Sequence, residues 1–149
     1  MASDRDAVME LALRLTGGVA AWREQAAVTD AVRSWVAGSL DKQDPTHRPV
    51  FVAEDAGRIV GFVTAGTRRH WAGDVDAYVG ELAVAADVTS RGLGRSLMSA
   101  AEAWARTKGY RRLIIETGAA NLDARAFYAA LGYVDEEVVL TRDLDQHAD

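Results

Sequence analysis

Apolar residues recur at helical intervals in the first third of the chain. From about Asp4 to Leu15, Val8, Leu11 and Leu15 share one face, and Thr16-Gly17-Gly18 ends the run. From about Ala26 to Leu40, Val28, Val32, Trp35, Val36 and Leu40 repeat with the same period, which predicts a second amphipathic helix. The polar stretch Asp41 to Pro49 holds both prolines and predicts a loop. Beyond it the period changes. Val50 to Glu54 and Ile59 to Thr64, joined by Asp55-Ala56-Gly57-Arg58, predict a β-hairpin. Val75 to Val84 predicts a further strand. Leu93 to Lys108 carries Leu93, Leu97, Ala101, Trp104 and Ala105 on one stripe, which predicts a helix closed at Lys108-Gly109. Arg112 to Thr117 has an apolar centre and predicts a short strand covered on both faces. Asn121 to Leu131 predicts a helix with Asn121 as N-cap and Gly132 just past its end. Val138 to Thr141 predicts a last strand. Two helices, a hairpin and then alternating strands and helices make an α/β (α+β) sheet with helices on its faces.

Composition narrows the function classes. The 149 residues predict a single domain over residues 1–149, and 49% apolar with 26% charged residues is ordinary for a globular protein. The absence of cysteine excludes disulfides, thiolate zinc, iron–sulfur clusters and a Cys nucleophile. His47, His70 and His147 lie far apart, so no His-pair metal motif is present and no metal is expected. Seventeen basic against 22 acidic residues give −5, which argues against nucleic-acid binding and favours cationic partners. No apolar run approaches the ~20 residues that span a membrane. Met1 to Asp6 has no signal-peptide pattern, so a cytoplasmic protein with no membrane partner is expected.

The sharpest local feature is Arg91-Gly92-Leu93-Gly94-Arg95-Ser96, which follows a predicted strand and opens a predicted helix. Unpaired N–H groups at a helix start carry the positive end of the helix dipole. Glycines let an anion approach that backbone, small Ser96 keeps the way open, and Arg91 and Arg95 add charge, which is the chemistry of a pyrophosphate cradle. Lys-Ser/Thr does not stand at P-loop spacing, and Leu97 occupies the third small position of a dinucleotide fingerprint. A tight turn without a ligand is the competing explanation.

A second motif lies one strand later: Asn121-Leu122-Asp123-Ala124-Arg125-Ala126-Phe127-Tyr128, ending Leu131-Gly132-Tyr133. In this order and spacing, from about Val50 to Leu140, the two motifs resemble the GNAT superfamily of acetyl-CoA-dependent N-acetyltransferases. The resemblance implies a mixed central sheet splayed between its fourth and fifth strands, with helices on both faces. Glu81-Leu82-Ala83-Val84 looks like the end of the family's fourth strand. Met1 to Ala7 shows no strand pattern, so the family's first edge strand is not expected, and Ser96 stands where Gly or Ala is usual.

By the same resemblance acetyl-CoA is the cosubstrate. Leu82, Ala83 and Val84 would pair with its pantetheine arm. Arg91, Gly92, Leu93, Gly94, Arg95 and Ser96 would hold the pyrophosphate, with Asn121 as helix cap and cofactor partner. Tyr128 matches the family's acid, able to give a proton to the departing thiolate. The attacking amine needs a base, because alkylamines titrate near ~10. Glu81 and Glu116 are the candidates, acting directly or through water, with His70 more remote. Asp74, Asp76, Glu81, Asp135, Glu136 and Glu137 would make an acidic acceptor mouth, which points to a small polycationic amine, an aminoglycoside first and a polyamine second. Protein N-terminal or lysine acetylation, and a non-catalytic acetyl-CoA-binding module, are the alternatives. Homodimers are common in the family, and one is the expected assembly.

Overall fold

A computed structural model describes residues 2–88 and 92–145, with side chains from residue 4 onward. The order is α1 (Ala2–Leu11), a 3₁₀ turn (Ala12–Thr16), α2 (Gln25–Asp41), β1 (Val50–Asp55), β2 (Arg58–Arg69), β3 (Val75–Val84), a second 3₁₀ turn (Ala86–Val88), α3 (Leu93–Thr107), β4 (Leu113–Ile115) and α4 (Leu122–Ala130). The strands form one mixed sheet in the order β1-β2-β3-β4. The first two pairings are antiparallel and the last is parallel.

Alternation along the strands divides the core into two layers. Val60 and Phe62 of β2 and Ala83 of β3 pack with Val8, Leu11, Val32, Val36 and Leu40 on the side of α1 and α2. Val63 and Ala65 of β2 and Ala77 and Val79 of β3 pack with Leu97, Met98, Ala101, Trp104 and Ala105 of α3. The α4 residues Phe127 and Tyr128 join that second layer. Trp104 fastens α3 to the proline loop, its indole N–H donating to the Thr46 carbonyl at 3.0 Å.

Five expectations need correction. The first helix ends at Leu11 and passes into the 3₁₀ turn, short of the expected Leu15. The strand expected over Arg112 to Thr117 is Leu113–Ile115 alone, half-buried at the edge of the described sheet and not covered on both faces. Trp35 stands off the buried stripe of α2 and is 63% exposed, because Val32, Val36 and Leu40 alone fill the space over the sheet. Strand β2 continues to Arg69, beyond the expected end at Thr64, because β3 is long enough to pair with all of it. Val138 to Thr141 forms no strand. Its neighbourhood is held by side-chain pairs, Arg125 with Asp135 at 3.8 Å and His70 with Glu137 at 3.3 Å, and Leu140 is 90% exposed.

The β1–β2 turn has Ala56 at φ 51° and Gly57 at φ 79°, so both central residues are left-handed, as a type I′ turn requires. Alanine there costs about 1–2 kcal/mol against a right-handed residue, whereas asparagine tolerates this region. Ala56→Asn should therefore raise Tm by about 2–4 °C, on the order of 1 kcal/mol for a domain of this size. An unchanged or lower Tm in calorimetry would show that the turn carries no such strain.

Candidate active site

Strands β3 and β4 pair only at Ala77 with Leu113, Tyr78 with Ile114 and Val79 with Ile115. Beyond Val79 and Ile115 they part, and the end of β3 keeps a strand partner on its β2 side alone. The peptide groups turned to the open edge follow from register. The Ala85 N–H donates to the Val60 carbonyl at 2.7 Å, so alternation directs Ala83 toward β2 and Leu82 and Val84 toward the gap. Of the three expected strand residues, Leu82 and Val84 thus present free backbone positions, and Ala83 does not. One of these positions is engaged: Arg14, from the 3₁₀ turn after α1, donates its Nε–H to the Val84 carbonyl at 3.0 Å.

A bulge sets the chemistry beside this gap. Thr64 pairs with Glu81 but Ala65 pairs with Val79, so Gly80 is an extra residue in β3. One extra residue inverts the alternation. Ala77 and Val79 face α3, while Glu81 and Ala83 face α1 and α2. A side chain at Gly80 would meet Thr64 Oγ1 at 2.9 Å, which leaves room for glycine alone without rearrangement. Glu81 is only 8% exposed. Its carboxylate accepts from the Thr64 hydroxyl and from Ser39 Oγ of α2 at 3.1 and 3.2 Å. Burial holds its carboxyl above the usual carboxylate range, and the two hydroxyls oppose that rise.

Glu116, the other base candidate, lies on the far side of the gap. Its side chain is 62% exposed and pairs with Arg68 of β2 at 2.5 Å. The same guanidinium lies 4.7 Å from the centre of the Tyr78 ring. Burial, and next the Glu116 charge, push the Tyr78 phenol up. His70 is not poised as a base. Its Nδ1 accepts from the Ala72 N–H at 3.0 Å, and its Nε2 faces Glu137. Within the expected acidic mouth Asp135 stands 3.8 Å from Arg125 and Glu137 lies 3.3 Å from His70 Nε2, and outside it Glu116 pairs with Arg68.

The glycine motif opens α3 as expected. Gly92 is the N-cap, left-handed at φ 75°, and among the described residues no side chain caps the helix. The peptide groups of Leu93, Gly94 and Arg95 stand in the first turn, where N–H groups have no intrahelical acceptor, and Gly92 has open space where a side chain would be. That arrangement fits a pyrophosphate. Arg91 lies outside the described residues. Two neighbours also have packing roles. A Cβ on Gly94 would meet the Phe127 ring at 3.2 Å, so Gly94 lets α4 approach α3 closely. Ser96 turns its hydroxyl back onto the Gly92 carbonyl at 3.2 Å.

Asn121 caps α4, its Oδ1 accepting from the Ala124 N–H at 3.2 Å. Tyr128 sits between Phe127 and Tyr133, ring centres 5.1 and 5.8 Å away, and burial pushes its phenol up to about 12. Tyr133 is tied elsewhere and donates to Glu102 at 2.8 Å. Tyr128 and Glu81 thus belong to opposite layers of the sheet.

Ser39, Thr64, Arg68 and Tyr78 were not foreseen. Two left a signal in the chain: Ser39 interrupts the apolar stripe between Val36 and Leu40, and Thr64 interrupts the buried run from Ile59 to Ala65. Among the described residues no group of His, Cys, Asp and Glu could hold a metal ion, and no helix is long and apolar enough to cross a membrane.

The chain is similar to known proteins along most of its length. The profile of the acetyltransferase (GNAT) family matches residues 10–133. An uncharacterized N-acetyltransferase of Methanocaldococcus jannaschii is 33% identical over 93 residues, which cover 60% of this chain and 40% of that protein's length. The solved aminoglycoside N-acetyltransferase AAC(6')-Iy in complex with CoA superposes with a TM-score of 0.66 at 20% identity, over 94% of this chain and 88% of that one. Glucosamine-6-phosphate N-acetyltransferase from Arabidopsis thaliana gives 0.64 at 13% identity, over 97% and 93%. These solved structures share the splayed mixed sheet at identities that speak for fold alone. With the family profile spanning both motifs and the gap between them, the chain belongs to the GNAT family of acetyltransferases, which take their acetyl group from acetyl-CoA.

Proposed function

We propose that this acetyltransferase acts on a primary amine of a small polycationic acceptor, an aminoglycoside first and a polyamine second. The observation that carries the reading is the buried Glu81 carboxylate at the point where β3 and β4 part. An ammonium group must lose its proton before nitrogen attacks the thioester carbonyl. In this reading Glu81 takes that proton, directly or through one water. A free peptide N–H of Leu82 or Val84 stabilises the developing oxyanion. The new C–N bond forms as the C–S bond breaks, and Tyr128 donates to the departing sulfur. Burial disfavours the phenolate, which suits Tyr128 to hydrogen-bond donation in the transition state. The first turn of α3 holds the pyrophosphate, with Gly92 at its entrance.

The acceptor side supports a cation. Glu81, Asp74, Asp76 and Glu136 remain without a cationic partner among the described ion pairs. Two of the similar solved proteins are named as aminoglycoside acetyltransferases, which agrees with this ordering.

Glu81→Gln should lower kcat/KM by about 10²–10⁴-fold, the usual worth of general base catalysis. In the wild type, kcat/KM should fall on acidification through a limb that lies above the ordinary glutamate range, because the base must be ionised and burial raises its pKa. Wild-type activity in Glu81→Gln, or a limb at the ordinary position, would exclude Glu81. Tyr128→Phe should lower kcat and leave acetyl-CoA affinity unchanged, since the ring is kept and only a transition-state donor is lost. Gly92→Asp should weaken acetyl-CoA binding at least about tenfold by placing a carboxylate at the anion cradle. Its stability should stay within about 1 kcal/mol, because the site has open space and Asp tolerates a left-handed backbone. Calorimetry showing unchanged affinity would move the pyrophosphate elsewhere. Acetylation of peptide N-termini or lysines, with no turnover of kanamycin or spermidine, would replace the small acceptor with a protein.

A further inference from the structure

The hydrogen bonds around Glu81 have a fixed direction. Its peptide N–H can only donate, and it donates to Thr64 Oγ1 at 3.0 Å. The Thr64 hydroxyl proton is then free to go to Glu81 Oε2. Ser39 Oγ lies 3.2 and 3.1 Å from Oε1 and Oε2, so its proton also meets the carboxyl group. Two hydroxyl protons aimed at one carboxyl group fit an acceptor without a proton of its own. A protonated Glu81 could accept both hydroxyl protons on Oε2 alone, but its own O–H on Oε1 would then need an acceptor that neither hydroxyl supplies while it donates.

We propose that Ser39 and Thr64 are positioning residues that hold Glu81 as an ionised, aimed carboxylate beside the gap between β3 and β4. The catalytic half of this proposal rests on Glu81 being the base. The two hydroxyls come from different layers, Ser39 from α2 and Thr64 from the centre of the sheet, so the carboxylate is fixed only when helix and sheet are docked. Thr64 can take its place because Gly80 opposite it has no side chain.

Charged and titratable groups also come to this side from β2, β3 and β4 and from the turn after α1, among them Asp76 of β3, which is buried opposite Arg68. Tyr78 comes from β3 itself, Arg68 from β2, Glu116 from the end of β4 and Arg14 from the 3₁₀ turn. Arg68 is taken up by Glu116 and the Tyr78 ring, and Arg14 by the Val84 carbonyl. The direct partners of the Glu81 carboxylate are the two neutral hydroxyls. Their removal should therefore change its titration, in the sense that it binds a proton more readily.

The test is a carboxyl ¹³C NMR titration of the free protein, with the Glu81 signal assigned by its loss in Glu81→Gln. Ser39→Ala and Thr64→Val should each titrate at higher pH than the wild type, whereas Thr64→Ser, which keeps the hydroxyl, should match it. With acetyl-CoA and kanamycin, the acid limb of kcat/KM in Ser39→Ala should move up together with the NMR titration. Its kcat should fall less than in Glu81→Gln, and its KM for acetyl-CoA should stay unchanged. An unmoved titration in Ser39→Ala with a wild-type amide spectrum would overturn the proposal, whether or not Thr64→Val folds. A moved titration with wild-type kcat and an unmoved limb would overturn the positioning role. Full turnover by Glu81→Gln would instead remove Glu81 as base, and the titration would still report on the hydroxyls.

Discussion

A strand buried on both faces has to reconcile an apolar interior with a functional carboxylate. In β3 the reconciliation comes from Gly80. Without the bulge, with Gly80 paired as an ordinary ladder residue, Glu81 would continue the face of Ala77 and Val79 and point at Leu97, Met98 and Trp104, an apolar layer with no donor for a carboxylate. With it, Glu81 turns to Ser39 and Thr64. The same inversion sends Leu82 and Val84 toward α3 and keeps that layer filled. One residue thus protects the core and creates the site. The parting of β4 immediately beyond it leaves peptide groups for a ligand to use.

How much of this was legible in the chain depended on how local each signal was. The periodicity of Val8 to Leu15, of Val28 to Leu40 and of Leu93 to Ala105 reads directly as helices, and the hairpin around Ala56-Gly57 is written in its turn residues. The glycine motif and Asn121 also sit where expected. The bulge was not legible, since one glycine inside a strand has several meanings. The partners of Glu81 are 17 and 42 residues away in sequence, and only the fold brings them together. The run Val138 to Leu140 shows the opposite case, an apolar pattern suited to a strand whose backbone finds no ladder. Gly94 had a readable place in a motif, yet its contact with Phe127 depends on how α3 and α4 meet.

The two base candidates illustrate how environment separates equal side chains. Glu81 and Glu116 both stand near the gap. One is desolvated and bonded to neutral hydroxyls, and the other is exposed and bound to a guanidinium. Burial holds the first above the usual carboxylate range, and its hydroxyl partners oppose that rise. The second is engaged with a permanent cation. Arg68 therefore acts twice beside the gap, by engaging Glu116 and by covering the Tyr78 ring.

The contact of Arg14 with Val84 has a meaning apart from catalysis. A strand edge with unmatched peptide groups is a template for another strand, and proteins that carry one face the hazard of edge-to-edge aggregation. An enzyme that admits its cosubstrate along such an edge cannot cover it permanently. Arg14 supplies a removable cover: a long charged side chain on the Val84 carbonyl blocks a neighbouring strand, yet leaves by rotating a few bonds. The arginine thus caps one carbonyl of the edge and leaves the edge itself open.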